Sequence, residues 1–306
     1  MAVIISRFAP APTGFLHLGH VVSAIYVWGV TRLLGGRILL RIEDHDRVRS
    51  RPEFERAILE DLAWLGFRAD EPAVRQSERG AIYVQALNTL RRHGLVYACE
   101  CSRAEIAERS AKAVAERSAK AVALQDGAGA EFRYSGTCRG RALPESGNGL
   151  RIHLPPATER FVDGRHGEQE QRPSEQCGDL LARDRDGNWT YQFAATVDDL
   201  VQGVSLVVRG DDLLPSTGRQ IQLARLLGRS EPPAFLHHPL IMKAQTRQKL
   251  SKSDRDTGVR ELGARGWTAA RVLGHAAALA GLISAARDVH GDEVSSMMSA
   301  FKGVAR

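Results

Sequence analysis

Residues 7–20 read Arg-Phe-Ala-Pro-Ala-Pro-Thr-Gly-Phe-Leu-His-Leu-Gly-His, and the succession of residue types in them decides the fold. The apolar run from Ala2 to Phe8 has the character of a buried strand, which Pro10, Pro12 and Gly14 then interrupt. A helical pattern runs from about Leu18 to Leu34 and stops at Gly35-Gly36. Arg37 to Ile42 is a second strand, followed at once by acidic residues. Strand, helix, strand is a βαβ unit, in which the crossover helix forces the two strands to run parallel.

Working outward, helices are expected from Pro52 to Leu65 and from Glu78 to His93, with Gly94 as a helix stop. Strands are expected at Leu150 to Leu154, Trp189 to Phe193 and Val204 to Val208, and a helix at Thr268 to Ala286. The polar stretch Gly164 to Cys177 reads as an exposed loop. This alternation predicts an α/β fold with a Rossmann-type doubly wound parallel sheet and a short C-terminal helical region. The expected divisions are two halves of a nucleotide-binding catalytic domain (1–95 and 146–245), an insertion (96–145) and a C-terminal segment (246–306). Within the insertion, Ala107 to Val114 is repeated identically at Ala115 to Val122, which reads as the extension of a surface helix.

Composition narrows the function. The opening Met-Ala-Val-Ile-Ile-Ser-Arg is too short for a secretory signal, and no long uncharged apolar run follows, so a cytoplasmic protein without a membrane span is expected. Four cysteines are too few for a disulfide framework and point to a metal. The formal charge of +6 permits contact with a polyanion, although an arginine-rich surface can also be merely solvated.

His17, Gly19 and His20 stand where a strand passes into a helix, the usual ligand site of open α/β folds. Two histidines three apart share a helix face, and both can meet a phosphate chain at the positive end of the helix dipole. Glycine at position 19 lets a nucleoside approach the backbone. Lysines are scarce in this chain, yet Lys249 and Lys252 fall together in Lys-Leu-Ser-Lys-Ser, residues 249–253. Mobile ammonium groups on such a loop can neutralise charge developing at a triphosphate.

With both segments in place, the sequence resembles the class I aminoacyl-tRNA synthetases, whose two signatures match His17-Leu18-Gly19-His20 and Lys249-Leu250-Ser251-Lys252-Ser253. Arg7 to Gly14, Arg41-Ile42-Glu43-Asp44 with Asp46, Val197-Asp198-Asp199 and Val208 to Leu214 are similar, in order, to the glutamate-specific branch. The resemblance covers nearly all of the chain to about Ser253. It implies ATP and L-glutamate as substrates, Mg²⁺ accompanying ATP, and phosphate stabilisation by His17, His20 and Lys252. It further implies ATP contacts at Gly19, Asp212, Lys249 and Ser251, and glutamate contacts at Arg7, Ala9, Glu43, Tyr191 and Arg209. The chemistry agrees, because two carboxylates and one ammonium call for fixed guanidinium groups and an acidic partner. Two positions depart from the pattern: Ala11 replaces a usual serine and Ala195 a usual asparagine, which suggests weaker binding of free glutamate.

Cys99-Glu100-Cys101, followed later by Tyr134-Ser135-Gly136-Thr137-Cys138, resembles the zinc insertion of the glutamyl-queuosine tRNA(Asp) synthetases. That resemblance implies a closed structural Zn²⁺ site formed by Cys99, Cys101, Tyr134 and Cys138. Cys177 is an alternative ligand, and three reduced thiols without metal are the alternative to any site. The chain continues only about fifty residues past Ser253, too few for the anticodon-binding region of a synthetase that charges tRNA 3′ ends. The expectation is therefore a monomer that activates glutamate without tRNA and transfers it to queuosine in the anticodon loop of tRNA(Asp). A shortened synthetase charging a 3′ end, a generic adenylyltransferase and a non-catalytic tRNA-binding paralogue are the alternatives.

Overall fold

The structure is a computed structural model that describes residues 3–118, 132–241 and 258–304. β1 (Ile5–Phe8), α1 (Leu18–Leu33) and β2 (Arg37–Ile42) form the expected unit, with β1 and β2 parallel and Arg7 opposite Leu39. α2 (Pro52–Trp64) opens with Pro52 and carries Glu53 and Glu55 in its first turn, where a fixed φ and negative charge favour a helix start. β3 (Val74–Arg75) adds parallel to β2, and α3 (Gly80–Arg92) follows.

Next come β4 (Val96–Cys99), α4 (Arg103–Ser118), β5 (Gly149–Ile152), β6 (Glu159–Asp163), β7 (Gly167–Gln171), α5 (Pro173–Gln176) and β8 (Leu180–Arg183). β4, β5 and β8 form a separate antiparallel sheet. α4 contains the first copy of the duplicated segment and enters the second, whose end lies outside the described residues. α6 (Tyr191–Val201), β9 (Leu206–Gly210), α7 (Thr217–Leu226), β10 (Ala234–His238), α8 (Val259–Ala264) and α9 (Ala269–Leu279) complete the described elements, with 3₁₀ turns at Gln76–Glu78, Asp211–Ser216 and Ser296–Phe301.

β9 pairs parallel with β10, and β10 with β6. Ser205 N donates to Ile5 O at 2.9 Å and Ile5 N to Ser205 Oγ at 3.0 Å, which sets β9 beside β1. The central order is therefore β3-β2-β1-β9-β10-β6-β7, the doubly wound sheet expected from the sequence, and the crevice between β1 and β9 is the place such folds bind ligands. α1 is buried around nearly its whole circumference because it lies between this sheet and the C-terminal helices. No helix among the described residues is long and apolar enough to cross a membrane.

Two expectations need correction. Trp189 to Phe193 is not a strand: only Trp189 forms a bridge, with Arg183, and α6 starts at Tyr191. The short aromatic run suits either structure, and burial of Phe193, Ala194 and Val197 on one face decides for the helix. Gly164 to Cys177 is not a loop. It holds β7, an edge strand whose pairing with β6 includes an ion pair between Arg160 and Glu170 at 3.0 Å, and then α5. An edge strand can be polar on both faces, so its sequence carries no alternation. Smaller differences are shifts of ends, as in α9, which stops at Leu279, before Gly281 at φ 70°.

Gly274 of α9 lets the segment at Arg287 cross the helix closely, since a Cβ there would stand 1.5 Å from the Arg287 carbonyl oxygen. Gly274→Ala is expected to lower stability by about 2 kcal/mol or more. Gly263→Ala, whose Cβ meets only Trp64 at 4.0 Å, is expected to be neutral or slightly stabilising in the same thermal denaturation series.

Candidate active site

α1 begins at the mouth of the crevice. Gly19 N donates to Nδ1 of the N-cap residue His17 at 3.0 Å, and His17 N donates to His20 Nδ1 at 3.1 Å, so the two histidines cap the helix reciprocally. Their rings lie 3.9 Å apart. Because both Nδ1 atoms accept, each ring carries its proton on Nε2, as an N–H donor. A Cβ at Gly19 would stand 2.8 Å from His17 Cε1, so this cap requires glycine there.

A cavity of about 500 Å³ extends from this helix end along the carboxyl ends of β1 and β9. It gathers the candidate residues from five of the segments that line it: Arg7 and Ala9, then His17 with Gly19 and His20, then Glu43, Tyr191, and Arg209 with Asp212. Every candidate ATP or glutamate residue within the described part of the chain therefore faces one space. Lys249, Ser251 and Lys252 lie outside the described residues. The chain enters that segment from Ile241, a cavity residue, and resumes at Gly258, which bridges to His17.

Behind the cavity lies a network that sequence reasoning did not supply. Arg41 is wholly buried on β2 and contacts Asp199 at 2.7 Å, Glu43 at 3.2 Å and Asp198 at 3.7 Å. Arg7 Nε donates to both Asp199 oxygens, at 3.1 and 3.2 Å, and Arg7 also reaches Val208 O. Asp198 accepts further from Gln76, Arg79 and Tyr83. Burial opposes the charge on Arg41, but its three carboxylate neighbours outweigh it and raise its pKa. Burial would raise Asp199, yet Arg7 and Arg41 hold it below the usual carboxylate range. Glu43 is pushed up by burial despite Arg41, and Tyr191 by burial and by Glu43. The available signal was an arginine inside an otherwise apolar strand, Ile38-Leu39-Leu40-Arg41-Ile42.

A second group gathers at the end of β4. The thiols of Cys99, Cys101 and Cys138 lie within 4.8 Å of one another and could hold a metal ion. Tyr134 Oη accepts from Cys138 N at 2.9 Å and stands 3.3 Å from Cys99 Sγ, so all four expected ligands converge. Arg151 donates to Cys99 Sγ at 3.3 Å, and its guanidinium lies 3.8 Å from the centre of the Tyr134 ring. Cys177 is not among them: its thiol contacts Pro173 O at 3.1 Å and belongs to a different apolar cluster.

Residues 3–285 match the family described as tRNA synthetases class I (E and Q), catalytic domain. The glutamyl-Q tRNA(Asp) synthetase of Bordetella bronchiseptica is 42% identical over 251 residues, covering 82% of this chain and 75% of that protein. The one from Nitratidesulfovibrio vulgaris is 38% identical, covering 92% and 87%. Among solved structures, a glutamate tRNA ligase from Elizabethkingia meningosepticum in complex with its amino acid superposes with a TM-score of 0.76 at 26% identity, over 98% of this chain. The glutamate-tRNA synthetase of Elizabethkingia anophelis does so at 0.67 and 28% identity, over 87% of this chain. The chain spans 66% and 54% of the lengths of those two crystallised proteins.

Arg41→Gln keeps a hydrogen-bonding side chain but removes the charge shared by three carboxylates. Stability in denaturant unfolding is expected to fall by about 3–5 kcal/mol, the usual cost of stranding a buried charge. An exposed change such as Arg49→Gln, which breaks only the surface pair with Asp46, is expected to fall by less than about 1 kcal/mol.

Proposed function

The chain belongs to the class I tRNA synthetases for glutamate and glutamine, and we propose that it activates L-glutamate with ATP and transfers it to queuosine in the anticodon loop of tRNA(Asp). The observation that carries the reading is the single cavity in which Arg7, Glu43, Tyr191 and Arg209 meet the histidine-capped end of α1. Relatives named for that transfer over most of their length support the acceptor.

The chemistry needs no covalent enzyme intermediate. A carboxylate oxygen of glutamate attacks the α-phosphorus of ATP, the bond to the bridging oxygen breaks, and pyrophosphate leaves. A queuosine hydroxyl then attacks the acyl carbon, loses its proton and expels AMP. Arg7 and Arg209 hold the two carboxylates, Glu43 the ammonium, and the Tyr191 hydroxyl donates a hydrogen bond beside the Ala9 backbone. His17 and His20 present Nε2–H donors to the phosphates, joined by Lys252. Gly19, Asp212, Lys249 and Ser251 contact ATP. Mg²⁺ bound with ATP supplies charge neutralisation at the phosphates. Cys99, Cys101, Cys138 and Tyr134 would hold a structural Zn²⁺, to which they would offer three thiolates and one phenol oxygen. We place the enzyme in the cytoplasm as a monomer.

ATP–pyrophosphate exchange dependent on glutamate, in the absence of tRNA, is the expected activity. Labelled glutamate is expected to reach tRNA(Asp) containing queuosine and not tRNA(Asp) lacking it. No exchange would refute the enzyme, and labelling of queuosine-free tRNA the acceptor. Because burial raises the pKa of Glu43, its ionised form is lost on acidification at a pH above the ordinary glutamate value of 4.5. The KM for glutamate is expected to rise as pH falls toward that range, and Glu43→Gln to raise KM at every pH while flattening the profile. Cys101→Ser is expected to lower the zinc content measured by atomic absorption, together with the melting temperature.

A further inference from the structure

Arg209 is gripped on all three of its guanidinium nitrogens. Its Nε donates to His237 Nε2 at 2.9 Å, one terminal nitrogen to Gln220 Oε1 at 2.6 Å, and the other to Thr217 Oγ1 at 2.8 Å. Arginine can only donate, so His237 Nε2 must be the unprotonated nitrogen. Nδ1 then carries the hydrogen and donates it to Asp163 Oδ2 at 2.7 Å. Asp163 in turn acts only as an acceptor: Oδ2 also takes His237 N at 3.1 Å, while Oδ1 takes Arg165 N and His166 N, each at 3.0 Å. Both Asp163 and His237 are buried, and neither lines the cavity.

The same logic fixes the other side. Gln220 Oε1 must accept from Arg209, which turns its amide nitrogen toward Gln192 Oε1 at 2.8 Å and the Gln192 amide nitrogen toward Ser216 Oγ at 3.0 Å. Gln192 follows Tyr191, so the chain of bonds that orients Arg209 passes through the helix start carrying another cavity residue before it reaches Ser216.

We propose that Asp163 and His237 are positioning residues for the amino-acid substrate: through one fixed histidine tautomer they hold the Arg209 guanidinium in the plane that receives a carboxylate. The proposal rests on the reading that Arg209 binds glutamate. Burial lowers the pKa of His237, which favours the neutral ring the geometry requires. For Asp163 burial acts upward, but the bonds from His237 and the turn amides outweigh it and keep the carboxylate ionised. An asparagine at position 163 would set an amide N–H against donors in either orientation. Facing Nδ1, it would drive the histidine proton to Nε2, against the Arg209 N–H.

Two half-replacements of His237 separate positioning from mere packing. His237→Asn keeps a group near Nδ1 and loses the acceptor for Arg209, whereas His237→Gln can set an amide oxygen where Nε2 lies. Glutamate-dependent ATP–pyrophosphate exchange would be measured on the full chain, varying glutamate and ATP separately, for both variants, Asp163→Asn and Arg209→Lys. Expected are increases of about 10- to 100-fold in the KM for glutamate with His237→Asn and Asp163→Asn, without a comparable rise in the KM for ATP. His237→Gln is expected to stay within about fivefold of the parent, since one neutral hydrogen bond replaces another. Equal KM values for the Asn and Gln variants, while Arg209→Lys raises KM, would overturn the positioning role and leave the glutamate reading intact. No change in Arg209→Lys would bring down both. If Asp163→Asn fails to fold, the comparison of the two His237 variants still decides.

Discussion

The charge on Arg41 is the constraint around which the site is built. An ionised guanidinium taken wholly out of water is tolerable only with close carboxylate partners, and the desolvation it demands is of the order of several kcal/mol before those partners are counted. Asp199 and Asp198 supply them from α6, Glu43 from the end of its own strand. To satisfy one strand residue, the fold must therefore bring α6, which lies more than 150 residues downstream, against the carboxyl end of β2. Arg7 shares Asp199 and is thereby held at the cavity wall. The ion pairs do not have to add net stability to have this effect, because any arrangement that separates them is worse.

The network also sets the charge of the cavity. Arg7, Arg41 and Arg79 are paired with Asp198, Asp199 and Glu43, and Arg209 lines the same cavity as Asp212, so four positive groups stand with four negative ones when all are ionised. Both cavity guanidiniums are held from behind, Arg7 by Asp199 and Arg209 by His237, Gln220 and Thr217, so their positive charge is fixed in place before any ligand arrives.

What could be read in the sequence follows from the range of the interactions. β2 is legible to the residue because its apolar run ends in a cluster of charges, and the α1 start because Pro, Gly and His bracket it. The cavity residues Arg7, Glu43, Tyr191 and Arg209 are legible through ordered motifs, even though Tyr191 sits on a helix start where a strand is expected. Asp163 and His237 are not legible as parts of a site, and Arg41 is legible only as a motif residue and as an arginine inside an apolar strand, not through its partners. Arg41 meets Asp199 across 158 residues, Asp163 meets His237 across 74 and His237 meets Arg209 across 28, and sequence neighbours do not reveal pairings of that range. β7 is hidden for a different reason: an edge strand buries little, so hydrophobic periodicity has nothing to mark.

The cysteine group bears on the substrate cavity through the chain that leaves it. Arg151 joins Cys99 Sγ to the carbonyl of Asp179, at 3.3 and 2.9 Å, and stacks on Tyr134. Asp179, buried just before β8, also receives Tyr97 Oη at 2.6 Å and Leu154 N at 3.1 Å. β8 then leads through Trp189, which packs on Phe193 and Tyr83, directly into α6. That helix carries Tyr191 at its start and Asp198 and Asp199 two turns on. The position of both aspartates relative to Arg41 is thus tied, by covalent chain and by Tyr83 Oη on Asp198 at 2.8 Å, to the sheet that the thiols brace. The cysteine group and the cavity share no residue, yet the chain and these contacts join them through β8 and α6.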